Sequence, residues 1–513
     1  MRRADADVVV IGGGPSGATV AAEAARLGAR VIVLEKREGD SPSRAGVIQP
    51  RVLELLDARG LMGRFREAAK NWRPDFEVPR YIYAGLTGLR YDLLDSAHPY
   101  ALILPQTTTE HLLRDWAAEA GAEVRRGVTY VEHTEDAGDT GGVTVTALDA
   151  DGTTVRLRAR FLVGADGARS AVRTHAGIPF EGREAELTAV SIDADLQFPW
   201  AASMQMRRNE NGWVLAYPFG RRTTRFIIVA EARRTVPRTE PVTIEEARES
   251  LRAIFGEDFG ITGAKWVSRY GDTHKTTPYL HRGRVSLVGE STRVHYPASG
   301  IGMNYCIQDA FNLGWKLGLV ATGEAPEALL RTYDDERYPV LQDLMDDVAA
   351  QCKLHFDFTP AGLKLKEFVE TELIPVPEVN AILRDRLSGF KTTYHRDGDP
   401  HPADGTRVGE LHLGDHRYTE VAARSAFVLV EHADRAPATR ELPSRITRVV
   451  TDDPGFTREL AGASAALIRP DAYVARAWTA APSDSELEAA YAGAVGHGVR
   501  TDLTPADLTP AGH

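Results

Sequence analysis

Apolar positions run unbroken through residues 8–11 and again through 31–34, and alanines recur at 18, 21, 22 and 25 between them. Short continuous apolar runs suit strands buried on both faces, and the three-to-four spacing suits a helix with one thin side. The pattern predicts strand, helix, strand. Residues 49–59 then turn Val52, Leu53, Leu55 and Leu56 inward on a helix stopped by Gly60. Residues 105–127 repeat the device with Leu112, Leu113 and Trp116, with Thr107 to Thr109 offering caps and Gly121 ending the helix. Residues 123–128 follow as the next strand of the same sheet. From 142 to 163 the period falls to two. VTVTAL, a DADG turn and TVRLRARFLVG predict a hairpin whose second strand returns to the first sheet.

Alternation persists from 184 to 230 in LTAVSIDADLQF, WVLAYPF and TRFIIVAEA. A helix over 244–255 and a strand from Trp266 complete an inserted antiparallel sheet lying over the first unit. Trp213, Tyr217, Phe219 and Phe226 supply its bulk and could wall a large, flat, apolar substrate. Residues 285–288 read as a strand and 303–319 as a helix burying Ile307, Phe311, Leu313 and Trp315. A charged helix over 333–348 continues as amphipathic helix to about 387, and 390–406 is linker-like. Beyond it, AFVLVEH, RITRVV and SAALIRPDAYVARAW alternate as strands, and ELEAAYAGAV is helical. They form an α/β module whose last strand pair turns at 469–471.

Composition narrows the classes. A chain of 513 residues exceeds one ordinary core, so two to four packed units are expected. A net charge of -11 argues against a broad nucleic-acid surface. Only Cys306 and Cys352 are present, too few for a disulfide scaffold, a CxxC redox pair or a four-cysteine metal site. Residues 1–7 hold no apolar signal region, and no apolar run reaches membrane-spanning length. A cytoplasmic protein without membrane, metal or nucleic-acid partner is the expectation.

Chemistry concentrates at two places. Gly12, Gly14 and Gly17 form GxGxxG between the first strand and helix, and Glu35 ends the second strand 18 residues after Gly17. The first glycine permits a tight turn, the second lets backbone approach a diphosphate, and the third lets helix and strand close. A carboxylate at that point accepts from both ribose hydroxyls and disfavours a 2′-phosphate, so the nucleotide is FAD or NAD rather than NADP. The second place is GRVSLVGESTRVHYPASGIGMNYCIQDAFNLGWKLG, 283–318, where Pro297, Ser299, Gly300 and Gly302 shape a loop fit to approach a flat ring. Arg44 and Gln106 stand where the chain returns towards the nucleotide, and Asp166–Gly167 makes a bend at a strand end. His295 has no identified orienting partner, and Gln308 and Asp309 read as interior helix contacts.

Taken together, GGGPSGA with Glu35, GADGARS and GESTRVHYPASGIGMN resemble the FAD-dependent aromatic hydroxylases of the para-hydroxybenzoate hydroxylase type. SRAGVIQPRVLELLDARGL, PQTTTEHLL and IRPDAYVA match in order, so the resemblance spans the chain and is nearest to the angucycline and anthracycline hydroxylases. It implies an α/β fold with a Rossmann-like FAD-binding domain (1–180 and 270–395, with interdomain helices). A substrate sheet over 181–269, joined by part of 71–104, and a thioredoxin-like domain without CxxC over 400–513 would complete it. The implied cofactor contacts are Gly12, Gly14, Pro15, Ser16, Gly17, Glu35, Lys36, Arg44, Gln106, Asp166, Glu290, Arg293, Pro297, Gly300, Gly302, Met303 and Asn304. Substrate contacts would come from Trp213, Tyr217, Phe219, Phe226 and His295.

The activity implied is oxygenation of a polycyclic phenol or quinone polyketide through a flavin C4a-hydroperoxide, with NADPH and O2, by a monomer or homodimer. Baeyer–Villiger or rearranging oxygenation is the alternative, as is a flavin-bound protein that has lost reduction by NADPH. Two departures motivate that last case. Glu290 stands where the family has aspartate, and Arg293 replaces a histidine with a fixed cation, expected near the flavin edge or its phosphates. Ser299 and Ile301 also replace the commoner glycine and glutamine.

Overall fold

The computed structural model describes residues 4–497 apart from 41–44, 74, 137–140, 198–203, 221–222, 395–397 and 399. Its central layer is a six-stranded sheet in the order His281–Arg282, Val285–Leu287, Phe161–Gly164, Val8–Ile11, Val31–Glu35, Glu123–Arg126. Neighbours run parallel except at the outermost pair. Val10 lies opposite Val33 on one side and Val163 on the other, and all of Val8–Ile11 is buried. Burial on both faces is why the sequence shows a continuous apolar run there.

Helices cover one face. Pro15–Arg26 lies so close to Gly302–Thr322 that a Cβ on Gly314 would stand 2.5 Å from Glu23 Cβ. Gln106–Glu119 completes this layer, with Trp116 stacked on Phe311 at 5.8 Å. The expected threonine caps are not caps: the helix begins at Gln106 behind Pro105, and Thr107 to Thr109 lie inside it. Proline has no N–H to satisfy, so the helix starts earlier than a hydroxyl cap would place it. On the other face lie Thr129–Glu135, Val143–Leu148 and Thr154–Ala159 in an antiparallel sheet. The expected long return strand divides at Arg160, and Phe161–Gly164 alone enters the parallel sheet.

The second sheet is antiparallel, in the order Gln205–Asn209, Gly212–Pro218, Thr223–Ala230, Thr188–Leu196, Ile261–Gly271. Ile244–Phe255, capped by Thr243 and ended by Gly256 at φ 94°, covers one face. The other face meets the hairpin Arg80–Tyr83 and Leu86–Arg90 and the helix Arg331–His355. The helix expected to run to 387 is instead broken into Arg331–His355, Pro360–Phe368 and Pro377–Ser388. Pro360 and Pro377 each open a new first turn.

The C-terminal sheet runs Ile446–Thr451, Phe427–His432, Ala465–Ile468, Val474–Trp478, its first pair parallel and the others antiparallel. The stretch expected as a linker is docked on it. Gly405 N donates to Val474 O at 2.9 Å, and Ala477 N donates to Asp404 Oδ1 at 2.6 Å. Glycine, proline and aspartate serve tight turns as readily as open linkers.

Candidate functional site

Four stretches meet at the carboxyl ends of the parallel strands: 12–17, 35–37, 164–173 and 289–304. This is the end of such a sheet where ligands are held. A Cβ on Gly12 would lie 2.4 Å from Ala165 O, and one on Gly17 would lie 1.9 Å from Gly12 O. At Gly14, φ -73°, no atom lies within 4 Å of that point. The outer glycines close the turn and the middle one opens it. The helix Pro15–Arg26 starts there without a side-chain cap, so its first amides and positive end face that space. Ser16 Oγ would meet a Cβ on Gly289, which joins this turn to the second motif.

Glu35 is buried at the end of its strand. It accepts from Gly13 N at 2.8 Å through Oε2 and from Arg37 N at 2.9 Å through Oε1. Both bonds fix the carboxylate while each oxygen keeps a lone pair for a ribose hydroxyl. Lys36 is exposed beside it. Arg44 lies outside the described residues. Gln106 clasps the segment that follows: it exchanges 3.0 Å bonds with the Ala45 backbone and donates to Glu110 Oε1 at 2.8 Å.

Asp166 takes a local role. Its carboxylate accepts from Ser170 Oγ at 2.5 Å, Ala171 N at 2.7 Å and Val172 N at 3.2 Å. It therefore fixes the start of the helix Ala171–His175 and shapes the bend.

In the second motif, Glu290 is exposed on the turn Gly289–Ser291. Arg293 turns inward. Its guanidinium is buried against the helix Gly302–Thr322, donating to Asp309 Oδ2 at 2.7 Å and lying 3.8 Å from Cys306 Sγ. Asp309 also accepts from Arg337 Nε at 2.7 Å, and a buried carboxylate draws such partners inward.

The loop itself carries backbone strain, with Ser299 at φ 48° and Gly300 at φ 64°. A left-handed serine persists only where its surroundings hold it. Tyr81 OH donates to Ser299 O at 3.0 Å, Ser299 Oγ donates to Gln351 Oε1 at 2.7 Å, and Ala84 N donates to Ser299 Oγ at 3.1 Å. Asn304 accepts from Gln49 N at 2.7 Å and donates to Val47 O and Gly300 O at 3.1 Å. Pro297 and Gly300 are left exposed, and Gly302 and Met303 open the long helix without a side-chain cap. His295 Nδ1 donates to Tyr296 O at 2.7 Å, and burial lowers its pKa to about 4. It is neutral above pH 5 and lies under Gly302.

Pleat parity sorts the aromatic residues. Trp213, Tyr217 and Phe219 share the face towards the loop, whereas Phe226 lies on the opposite face, fully buried and stacked on Phe259 at 5.7 Å. Phe226 is thus a core residue and not a wall. Trp213 is tied down, its Nε1 donating to Gly85 O at 3.1 Å. Tyr217 and Phe219 reach the nucleotide side: a Cβ on Gly46 would stand 2.9 Å from the Phe219 ring and 3.8 Å from Tyr217 OH. On the same face Arg225 makes two bonds to Asp193, 2.6 and 2.8 Å, beneath Phe219 at 3.7 Å. Burial raises the Tyr217 pKa and Arg225, hydrogen-bonded to it, opposes the rise. The sequence signal for this pair was available as charges at inward positions of two apolar strands. Gln49, Tyr81 and Gln351 had no such signal.

Among the described residues no group of three or more histidines, cysteines or acids could hold a metal ion, and no helix is long and apolar enough to cross a membrane. Residues 5–348 match the family described as FAD binding domain, and 401–497 match that described as aromatic-ring hydroxylase, C-terminal. The chain is 36% identical over 498 residues to the 12-dehydrotetracycline 5-monooxygenase/anhydrotetracycline 6-monooxygenase of Streptomyces rimosus, covering 93% of this chain and 95% of that one. It is 30% identical over 493 residues to the dialkyldecalin synthase of Streptomyces rugosporus, covering 94% and 97%. The solved anhydrotetracycline hydroxylase of Streptomyces rimosus superposes with a TM-score of 0.82 at 34% identity, covering 96% and 99%.

Proposed function

Because the chain belongs to the FAD-binding aromatic-ring hydroxylases, a family of flavin monooxygenases, we propose that it oxygenates a polycyclic phenol or quinone of the polyketide class. NADPH is the transient reductant and O2 the oxygen source. The observation that carries this reading is the meeting of the open Gly14 turn and the held 297–304 loop beneath the aromatic face of the second sheet. When bound, FAD accepts a hydride, activates O2 and delivers one oxygen atom while the other leaves as water.

The chain's residues bind and orient. Backbone amides of Gly14, Ser16 and Gly17 take the diphosphate, and Glu35 takes the ribose with its remaining lone pairs. Gln106 and Asn304 hold the segment 45–49 and the loop in one arrangement. The strained Ser299–Gly300 backbone presents its edge to the ring system, with Glu290 at the ribityl end. Tyr217, accepting from Arg225, keeps its own O–H to orient a substrate oxygen, and Phe219 with Tyr217 excludes water from the reacting face. We divide the chain as 1–180 with 270–395, 181–269, and 400–513, and read the last part as a thioredoxin-like support whose second, first, third and fourth strands lie side by side.

The relative named a synthase rather than an oxygenase, together with Glu290 and Arg293, supports a second reading as a flavin-bound catalyst that does not use NADPH. Anaerobic mixing of the yellow protein with NADPH, with and without a tetracyclic naphthoquinone, separates the two. Bleaching of the oxidised flavin band, hastened by the quinone, is expected. A band that persists under both conditions would overturn the oxygenase reading.

A further inference from the structure

Along the middle of Gly302–Thr322, ionised side chains form one buried network running from the second motif to the C-terminal sheet. Arg293 and Arg337 share Asp309, and Arg337 Nη1 donates to Tyr394 OH at 3.1 Å. Asn312 links Tyr394 at 3.3 Å to Glu336 at 2.7 Å and Asp471 at 3.1 Å. Lys316 and Arg469 complete it on Glu336, at 2.8 and 2.6 Å.

The charges do not balance. Among the described residues, four cations, Arg293, Arg337, Lys316 and Arg469, meet three carboxylates, Asp309, Glu336 and Asp471. Glu336 and Asp471 match Lys316 and Arg469, so the excess lies at Asp309, which faces two guanidiniums. Of these, Arg293 is the one that also touches Cys306, near the start of the helix, and its Nε is buried with no acceptor among the described residues. Its other hydrogen-bond neighbours are Thr292 and Cys306, neither of them charged at neutral pH, for burial pushes the Cys306 thiol up to about 12; the Glu290 carboxylate also acts on Cys306 but is exposed, where solvent screens it. Cys306 lies about 6 Å along the helix axis from Gly302, so the surplus adds to the positive helix end at that point. A buried cation with an orphaned donor is expensive, and a pair of apolar side chains would fill the space more cheaply.

We infer that Arg293 supplies a surplus buried positive charge that stabilises the reduced, anionic form of the FAD bound over the 297–304 loop. The inference rests on the proposed place of the flavin ring. Hydride transfer gives the ring two electrons and one proton and releases NADP+, so the ring gains one negative charge; a fixed cation nearby favours that state. Asp309 sets where the charge sits, and Arg337 neutralises it.

Arg293→Met should fold, since Asp309 keeps Arg337 as a one-to-one partner. The two-electron midpoint potential of the bound flavin, measured by dye equilibration, reads the effect without any substrate. Arg293→Met should lower the preference for reduced over oxidised FAD at least tenfold, about 30 mV for two electrons. Arg293→Lys should restore most of it, and Asp309→Asn should move the potential the other way. A potential unmoved by Arg293→Met, or lowered by Asp309→Asn, overturns the inference. Should Arg293→Met fail to fold, the sign for Asp309→Asn decides alone. Pro297→Trp tests the ring's place separately. If it quenches flavin fluorescence and Arg293→Met is silent, only the charge inference fails; if it leaves the fluorescence unchanged, the loop reading fails and takes the inference with it.

Discussion

At the scale of single residues, the two glycines of one turn should separate fold from function. A Cβ on Gly17 would stand 1.9 Å from Gly12 O, a distance no repacking of flexible atoms can relieve. Gly17→Ala should therefore cost about 3 kcal/mol or prevent folding. Gly14 has an ordinary φ of -73° and open space before it, so Gly14→Ala should leave the apoprotein within about 0.5 kcal/mol of wild type. It should nevertheless weaken FAD binding tenfold or more, because the methyl enters the diphosphate's place. Thermal melting of apoprotein beside a flavin titration checks both, and equal loss of FAD and stability at Gly14 would refute the assignment. His295 makes a second case. Burial lowers its pKa to about 4, so it stays neutral from pH 5 upward and carries no titration there. His295→Gln should leave the pH profile of flavin reduction between pH 5.5 and 8 unchanged in shape, as stopped-flow rates would show.

At the scale of elements, the second sheet presents two chemically distinct faces, and a substitution should act according to the face it occupies. Phe226 is packed beneath Ile244–Phe255, so Phe226→Ala should cost about 3–5 kcal/mol in denaturant unfolding while sparing ligand-induced shifts of the flavin spectrum. Tyr217→Phe removes one hydroxyl at the nucleotide side. It should cost about 1 kcal/mol and abolish or alter those shifts. The reverse assignment of effects would invert the parity. This also marks how far the sequence could be read. The glycine turn, Glu35 and the order of helices and strands are local patterns, and each was legible because strand and helix periods repeat within a few residues. Alternation alone would have put Arg225 on the opposite face from Phe226 and beside Tyr217. What stayed hidden is long-range. Nothing near position 293 tells that its guanidinium turns inward to Asp309, nor that Gln49 lies on Asn304, 255 residues away. Asp166 is ambiguous for another reason: one carboxylate at a strand end suits a ligand or a helix cap equally well, and the short helix it caps lies right behind it.

At the scale of the whole molecule, the C-terminal sheet is built into the first unit rather than tethered to it. Its turn at 469–472 enters the core between the first layer's helices. Arg469 makes 2.6 and 2.7 Å bonds to Glu336, and Arg51 donates at 3.0 Å to the carbonyls of both Asp471 and Ala472. Arg59 reaches the Pro470 carbonyl and, at 2.9 Å, Glu23. Phe427 packs on Trp315 at 5.8 Å, so the apolar core is continuous across the junction. Two regions sharing core and buried ions cannot unfold independently without exposing both. Calorimetry of the full chain should therefore show one transition for the parallel sheet and the C-terminal sheet. Arg469→Met should lower that single transition, costing about 3–5 kcal/mol, because Glu336 and Asp471, both buried, lose their partner. Two resolved transitions in the wild type, or a variant in which only a minor one moves, would mean that the C-terminal sheet folds as a separate body and that the buried network does not couple the two.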